Sequence, residues 1–241
     1  MVLLGLPGRG KSSSGNTILG SERFESVSGF EAGTTETSSK SARVEGRRVQ
    51  VVDTPGFTGQ VLSPRKLFEE IMKAVVEASP GPHAFIIVVR FDRISEADIK
   101  LFKILPKLFS RDASKHMMVL FTHGDALSGR SMDGLIWSNQ HVSALVSMCG
   151  GGFSVFDNTK KGNRVQVRDL LDKIDQMVKT NGGGHYTDEM FKDGPSIPVK
   201  IAIRWRQIGE WFRRKIRNLD RRRDRYTPLN QPDTTELNKM D

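Results

Sequence analysis

Residues 5–12 read Gly-Leu-Pro-Gly-Arg-Gly-Lys-Ser, which fits the pattern G-x-x-x-x-G-K-[ST] without a mismatch, directly after the apolar run Val2-Leu3-Leu4. These residue types at this spacing can cradle a polyphosphate. The glycines let successive backbone N–H groups face one centre, a lysine reaches the outer phosphates, and a hydroxyl ligates Mg2+. Lys11 and Ser12 are the candidates for the last two roles. The stretch that follows, with Asn16, Thr17, Ile18 and Leu19, reads as a helix whose positive N-terminal end lies beneath the phosphates.

A second group, Asp53-Thr54-Pro55-Gly56, ends the β-branched run of residues 49–52, about forty residues after the first. There a carboxylate can hold Mg2+ through its water shell, and the Gly56 N–H can meet a γ-phosphate. Between the two groups, residues 33–38 read Gly-Thr-Thr-Glu-Thr-Ser, a polar loop suited to folding over metal and γ-phosphate. Thr35 is the expected metal-facing hydroxyl and a candidate for catalysis with Lys11; Thr34 and Thr37 are its substitutes. The metal set is therefore Ser12, Thr35 and Asp53. Base choice falls to Phe121-Thr122-His123-Gly124-Asp125. A carboxylate at Asp125 can accept both edge donors of guanine, a pair that adenine lacks, so the sequence argues for GTP and GDP over ATP. His123 lies flat on the purine or remains a surface histidine. Asn158 supports the base from the other side, with Asp157 as the alternative.

Elements that could position these groups are legible as alternating patterns. Short apolar runs at residues 49–52, 84–89, 117–121 and 153–156 predict buried strands. Leu67, Ile71, Ala74, Val75 and Ala78 recur at helical spacing, as do Ile99, Phe102, Leu105 and Leu108, with a break or kink expected at Pro106. Residues 165–178 predict a further helix. Strands alternating with helices indicate an α/β fold, a mainly parallel sheet covered on both faces, with ligands at the carboxyl ends of the strands. The phosphate loop, Asp53 and Asp125 all fall on that edge. Residues 1–4 are short for a central strand, so the first strand is expected to be clipped.

The net charge of +9 over 241 residues is concentrated in one segment. Residues 196–225 hold eleven Lys or Arg and three acidic residues, which leaves the rest near neutral. One cysteine, Cys149, excludes an internal disulfide framework and points to a reducing, intracellular setting. No stretch reaches the ~18 uninterrupted apolar residues of a membrane span.

These motifs, together with Pro80-Gly81-Pro82-His83-Ala84-Phe85 and Asn181-Gly182-Gly183-Gly184-His185-Tyr186-Thr187, resemble the GTPases of immunity-associated proteins (GIMAP). Those carry avrRpt2-induced-gene-type G domains, related to septins and to the chloroplast outer-envelope translocon GTPases. The resemblance spans residues 1–190, and the Pro80 to Phe85 block sets this family apart better than the phosphate loop does. It implies a three-layer P-loop NTPase fold of the Ras-like kind. It also implies nucleotide contacts from Gly5, Leu6, Pro7, Gly8, Arg9, Gly10, Lys11, Ser12 and Ser13, a further contact at Ser26, base recognition by His123, Gly124 and Asp125, and a closing contact from Asn158. Members commonly assemble through the nucleotide face in the GTP state, so a homodimer or oligomer is expected. The pattern places an arginine at Arg93, which in some members is linked to action across the dimer. The chain departs from the pattern at Gly124, where many relatives carry a basic residue.

Hydrolysis of GTP needs an oriented water and positive charge near the transferring phosphoryl group. Phe57 stands where many small GTPases place glutamine, and Gln60 is out of register, so intrinsic turnover is expected to be slow. The rival readings are a GTP-loaded scaffold without turnover, and a membrane or protein adaptor.

Residues 191–199 read as a linker, residues 200–225 as a basic amphipathic helix and residues 226–241 as a disordered tail. Ile201, Trp205, Ile208, Phe212, Ile216 and Leu219 form one apolar stripe flanked by arginines. Three uses stay open for it: an anionic membrane surface, packing on the G domain or on another subunit, and nucleic acid. The last has charge enough but no base-reading module beside it. The expected location is cytoplasmic or peripheral on an intracellular membrane.

Overall fold

Near-continuous apolar runs have no wet face to offer, so they pair side by side and take helices on both faces. In the computed structural model, six strands form one sheet in the order β2-β3-β1-β4-β5-β6. They are β1 (Val2–Leu4), β2 (Ser38–Val44), β3 (Arg47–Asp53), β4 (Phe85–Arg90), β5 (Met117–Thr122) and β6 (Phe153–Val155). The structure describes residues 1–25, 34–57, 63–109 and 111–186, all inside the unit Met1–Ser196. Ser26, Gln60 and the expected linker, basic helix and tail lie outside the described residues. So does the last part of the 1–190 G-domain span.

Every neighbouring pair runs parallel except β2 and β3, a hairpin in the register Ser38↔Asp53 to Val44↔Arg47. The helices are α1 (Lys11–Leu19), α2 (Pro64–Glu77), α3 (Glu96–Leu108), α4 (Arg111–Ser114), α5 (Met132–Ser138), α6 (Gln140–Met148) and α7 (Arg164–Thr180). Alternate strand residues point to opposite faces. Leu3, Ile86, Val88, Met118 and Leu120 pack against Ile18 and Leu19 of α1 and Val167, Leu170 and Ile174 of α7. Helices α2, α3 and α6 lie on the other face, with α2 against β1 and α6 against β5. This is the three-layer α/β fold that the alternating pattern predicts.

Local chemistry sets the helix ends. Ser63 accepts from the Lys66 N–H and Pro64 fills the first position of α2, where a missing N–H is harmless. Ser95 and Asp98 form a reciprocal capping box on α3. That helix runs through Pro106 and stops two residues later, so the predicted break becomes a helix end. Strand β2, with α5 and α6, had no counterpart in the sequence reading. The residues of β2 read Ser-Ser-Lys-Ser-Ala-Arg-Val on a half-exposed sheet edge, where only Ala42 and Val44 mark an apolar face.

Candidate nucleotide site

β1 lies between β3 and β4; the connection out of β1 runs to the β2–β3 side and the one out of β3 crosses to β4, so the crevice where connections diverge lies at the carboxyl end of β1. Residues 5–12 occupy that crevice. Gly8 and Gly10 adopt the left-handed φ values 68° and 87°, conformations that a side chain disfavours, and α1 begins at once with Lys11. A helix of nine residues thus aims its free N–H groups at the concavity.

Three side chains converge beside the loop. Ser12 Oγ donates to Asp53 Oδ2 at 2.6 Å, and Thr34 Oγ1 lies 3.0 Å from Ser12 Oγ and 3.3 Å from the same carboxylate oxygen. Asp53 is 1% exposed, and among the described residues its Oδ1 meets no donor in hydrogen-bonding geometry. An orphaned buried carboxylate oxygen beside two hydroxyls is a donor set for a hard cation or its water shell, so these residues fit Mg2+. Burial raises the pKa of Asp53, opposed by the Ser12 bond and the Lys11 charge. The threonine hydroxyl within reach of Ser12 and Asp53 is that of Thr34, next to the expected Thr35. Thr35 is exposed. Thr37 Oγ1 is buried without a hydrogen-bond partner among the described residues.

Lys11 Nζ donates to Leu6 O at 3.0 Å, folded back over the loop it serves. Burial pushes its ammonium down to about 8, with Asp53 working in the opposite direction and Arg9 adding to the drop. A polyphosphate beside it favours the charged form, so binding above that pH takes up a proton. The sign follows directly: affinity falls as pH rises through about 8. The GDP affinity is therefore expected to be flat near pH 7 and to fall by up to about tenfold per pH unit above about 8. Calorimetry in buffers of different ionisation heat checks it. Binding without proton uptake near pH 8.5 would mean that Lys11 does not meet the phosphates.

Asp53-Thr54-Pro55-Gly56 is locked to the loop strand. Thr54 Oγ1 donates to Leu3 O at 2.7 Å, and the Phe57 N–H donates to Gly5 O at 3.2 Å. A Cβ on Gly56 would stand 2.4 Å from the Pro7 ring, so only glycine fits there. Phe57 is 1% exposed and has no group to orient a water.

At the end of β5, Thr122 Oγ1 donates to Arg9 O at 2.8 Å and lies 3.1 Å from His123 Nδ1. His123 is half-buried with a left-handed backbone, Gly124 bonds to Phe156 O at 2.9 Å, and Asp125 is exposed. Asn158 donates to Ser14 Oγ at 3.1 Å and accepts from Thr17 Oγ1 at 2.9 Å, tying the loop after β6 to α1. Asp157 instead closes its own turn by accepting from Thr159. Arg93 is exposed. Just upstream, Arg90 grips Asp92 at 2.7 and 2.8 Å and holds it below the usual carboxylate range, with His123 close enough to add to the effect. The Arg93 turn therefore adjoins the base-side loop. Thr122, Ser14 and Thr17 were missed as site-building residues. Ser14 and Thr17 stand three apart on one helix face, and that spacing was the available signal.

A phosphate loop after the first strand, an aspartate after the third and a base-side loop after the fifth, gathered on one edge of this sheet, define a Ras-like G domain. Residues 1–197 match the AIG1 family model, and the chain belongs to the AIG1 family. It is 32% identical over 200 residues to immune-associated nucleotide-binding protein 8 of Arabidopsis thaliana, covering 79% of this chain and 57% of that protein. It spans about three fifths of the length of such plant relatives. In fold it is similar to Toc33 from Arabidopsis thaliana in complex with Mg2+ and GMPPNP, at TM-score 0.54 and 16% identity over 74% of this chain and 83% of that one. It is also similar, at TM-score 0.57 and 17% identity over 73% and 81%, to a structure of the chloroplast translocon components atToc33 and psToc159, in which dimerization is important for GTPase activity.

Proposed function

We propose that this chain binds GTP and GDP with Mg2+ and hydrolyses GTP slowly, with turnover rising as copies meet through the nucleotide face. The observation that carries the reading is the Ser12–Asp53 pair, with its orphaned Oδ1, set beside the buried Lys11. Ser12 and Asp53 would hold Mg2+, which would supply positive charge against the outer phosphates. Lys11 would leave Leu6 O for the phosphates, Asp125 would read the guanine edge, and Thr122 and Asn158 would hold the loop and helix in place.

Phe57, at the position where a water-orienting group would stand, is buried and apolar. Exposed Arg93, on the turn beside the base-side loop, would supply positive charge to a second copy's phosphates. That role is in line with the behaviour of the translocon components. Turnover per subunit is expected to rise with protein concentration in the parent. In Arg93→Ala it should become flat and fall by roughly tenfold or more at high concentration, modest beside the ~10³-fold that a trans arginine can supply. Equal, concentration-independent turnover in both would end the trans-arginine reading. Absence of hydrolysis in a single-turnover assay would favour a GTP-loaded scaffold.

A further inference from the structure

Arg9 sits in the middle of the phosphate loop, but its guanidinium is committed to α3. Its Nε donates to Asp98 Oδ1 at 2.9 Å, and its Nη2 to Asp98 Oδ2 at 2.5 Å and to Ser95 Oγ at 3.1 Å. Both charged side chains are nearly out of solvent, 11% and 2% exposed, unlike surface pairs such as Arg65–Glu69. The same carboxylate accepts the Ser95 N–H at 2.8 Å and the Ser95 hydroxyl at 2.5 Å. Burial works against the Asp98 charge, yet the Arg9 and Ser95 bonds hold it below the usual carboxylate range. At its backbone, Arg9 O accepts from Thr122 Oγ1.

One residue therefore joins the phosphate loop, the end of the base-side strand and the first turn of α3. A two-point fork on a carboxylate fixes direction as well as distance. Sliding one element past the other would leave a buried charge unpaired, which is strongly unfavourable. When phosphates order residues 8–12, the position of Arg9 is ordered with them, and the fork passes that order to Ser95 and Asp98. The turn carrying Arg93 ends at Ser95.

We propose that Arg9 is a positioning residue that couples occupancy of the phosphate loop to the start of α3, so that nucleotide binding firms residues 96–101. The inference rests on guanine-nucleotide binding at this site and not on turnover or self-association. Amide hydrogen exchange on the full chain, with and without saturating GDP and Mg2+, tests it in the parent, Asp98→Asn and Ser95→Ala. In the parent and in Ser95→Ala, GDP slows exchange of residues 96–101 by about fivefold or more, the lower range of coupling between sites. In Asp98→Asn, GDP still protects residues 8–13, but exchange at residues 96–101 changes by less than about twofold, below that coupling range.

Protection of residues 8–13 without protection of 96–101 in the parent overturns the inference, and so does full coupling in Asp98→Asn. No protection at residues 8–13 in the parent overturns the nucleotide site itself and this inference with it. If Asp98→Asn does not fold, Arg9→Lys decides: it keeps the charge but loses the fork. It must show a smaller GDP effect on residues 96–101 than the parent, and an equal effect rejects the proposal.

Discussion

In Lys11→Met, GDP affinity falls by roughly a hundredfold or more, about 3 kcal/mol, while the unliganded protein melts at the same temperature or higher. The two halves of this result have one cause. Lys11 is 6% exposed and, among the described residues, donates to Leu6 O. Its folded-state pKa of about 8 already includes the attraction of Asp53, so the folded environment disfavours the charge relative to water. Folding thus desolvates an ammonium that only phosphates repay in full, and methionine fills the same channel without that penalty. Titration calorimetry and a thermal melt of the same preparation check both signs. A variant that binds GDP like the parent would remove the site. A variant that melts several degrees lower would show Lys11 to be a structural lysine, with Asp53 as its partner in stability.

This opposition of stability and binding also explains which residues could be read in advance. Lys11, Ser12 and Asp53 belong to motifs because phosphate and Mg2+ chemistry restricts residue type and spacing, and nothing in packing would put a lysine there. Likewise β4 and β5 were legible because both faces are buried and the runs are uninterrupted. Strand β2 was not, since one face and one edge of it meet solvent and serine fills three of its seven positions. Asp98 looked like an ordinary capping residue. Its pairing with Arg9 joins positions 89 apart in sequence, and no local pattern announces a contact of that kind. The step from Thr35 to Thr34 has the same root. Both are threonines in one polar run, three and four residues before β2 begins, and residue type alone does not choose between them.

Residues 80–85 and 181–186 lie at the opposite end of the sheet from the phosphate loop, near the amino ends of β4 and β5. In the described residues they meet each other. The Tyr186 N–H donates to Pro82 O at 2.9 Å, and Asn181 Nδ2 to Lys115 O at 2.8 Å. The Tyr186 ring stands edge-on to Phe85 at 5.1 Å and to His116 at 5.9 Å, with His83 and His185 6.0 Å apart beside it. Gly81 leaves room for this approach, since a Cβ there would stand 2.2 Å from Tyr186 O. Tyr186 is 0% exposed, so the chain after α7 is clasped across the starts of two central strands.

Tyr186→Ala is accordingly expected to lower unfolding free energy by about 3 to 5 kcal/mol, the range for deleting a buried large aromatic. Tyr186→Phe, which keeps the ring against Phe85, should retain most of it. Because β4 and β5 run the length of the sheet, the loss should appear as a shift of the whole denaturant transition with an unchanged slope. The exposed Trp137 serves as the control, its alanine variant staying within about 0.5 kcal/mol. GDP affinity under folding conditions should change by less than about twofold, since sites this far apart and sharing no partner act independently. A broadened transition with an unchanged midpoint would show that only the segment after α7 had come away. The clasp would then be an attachment for the following chain and not a support of the sheet.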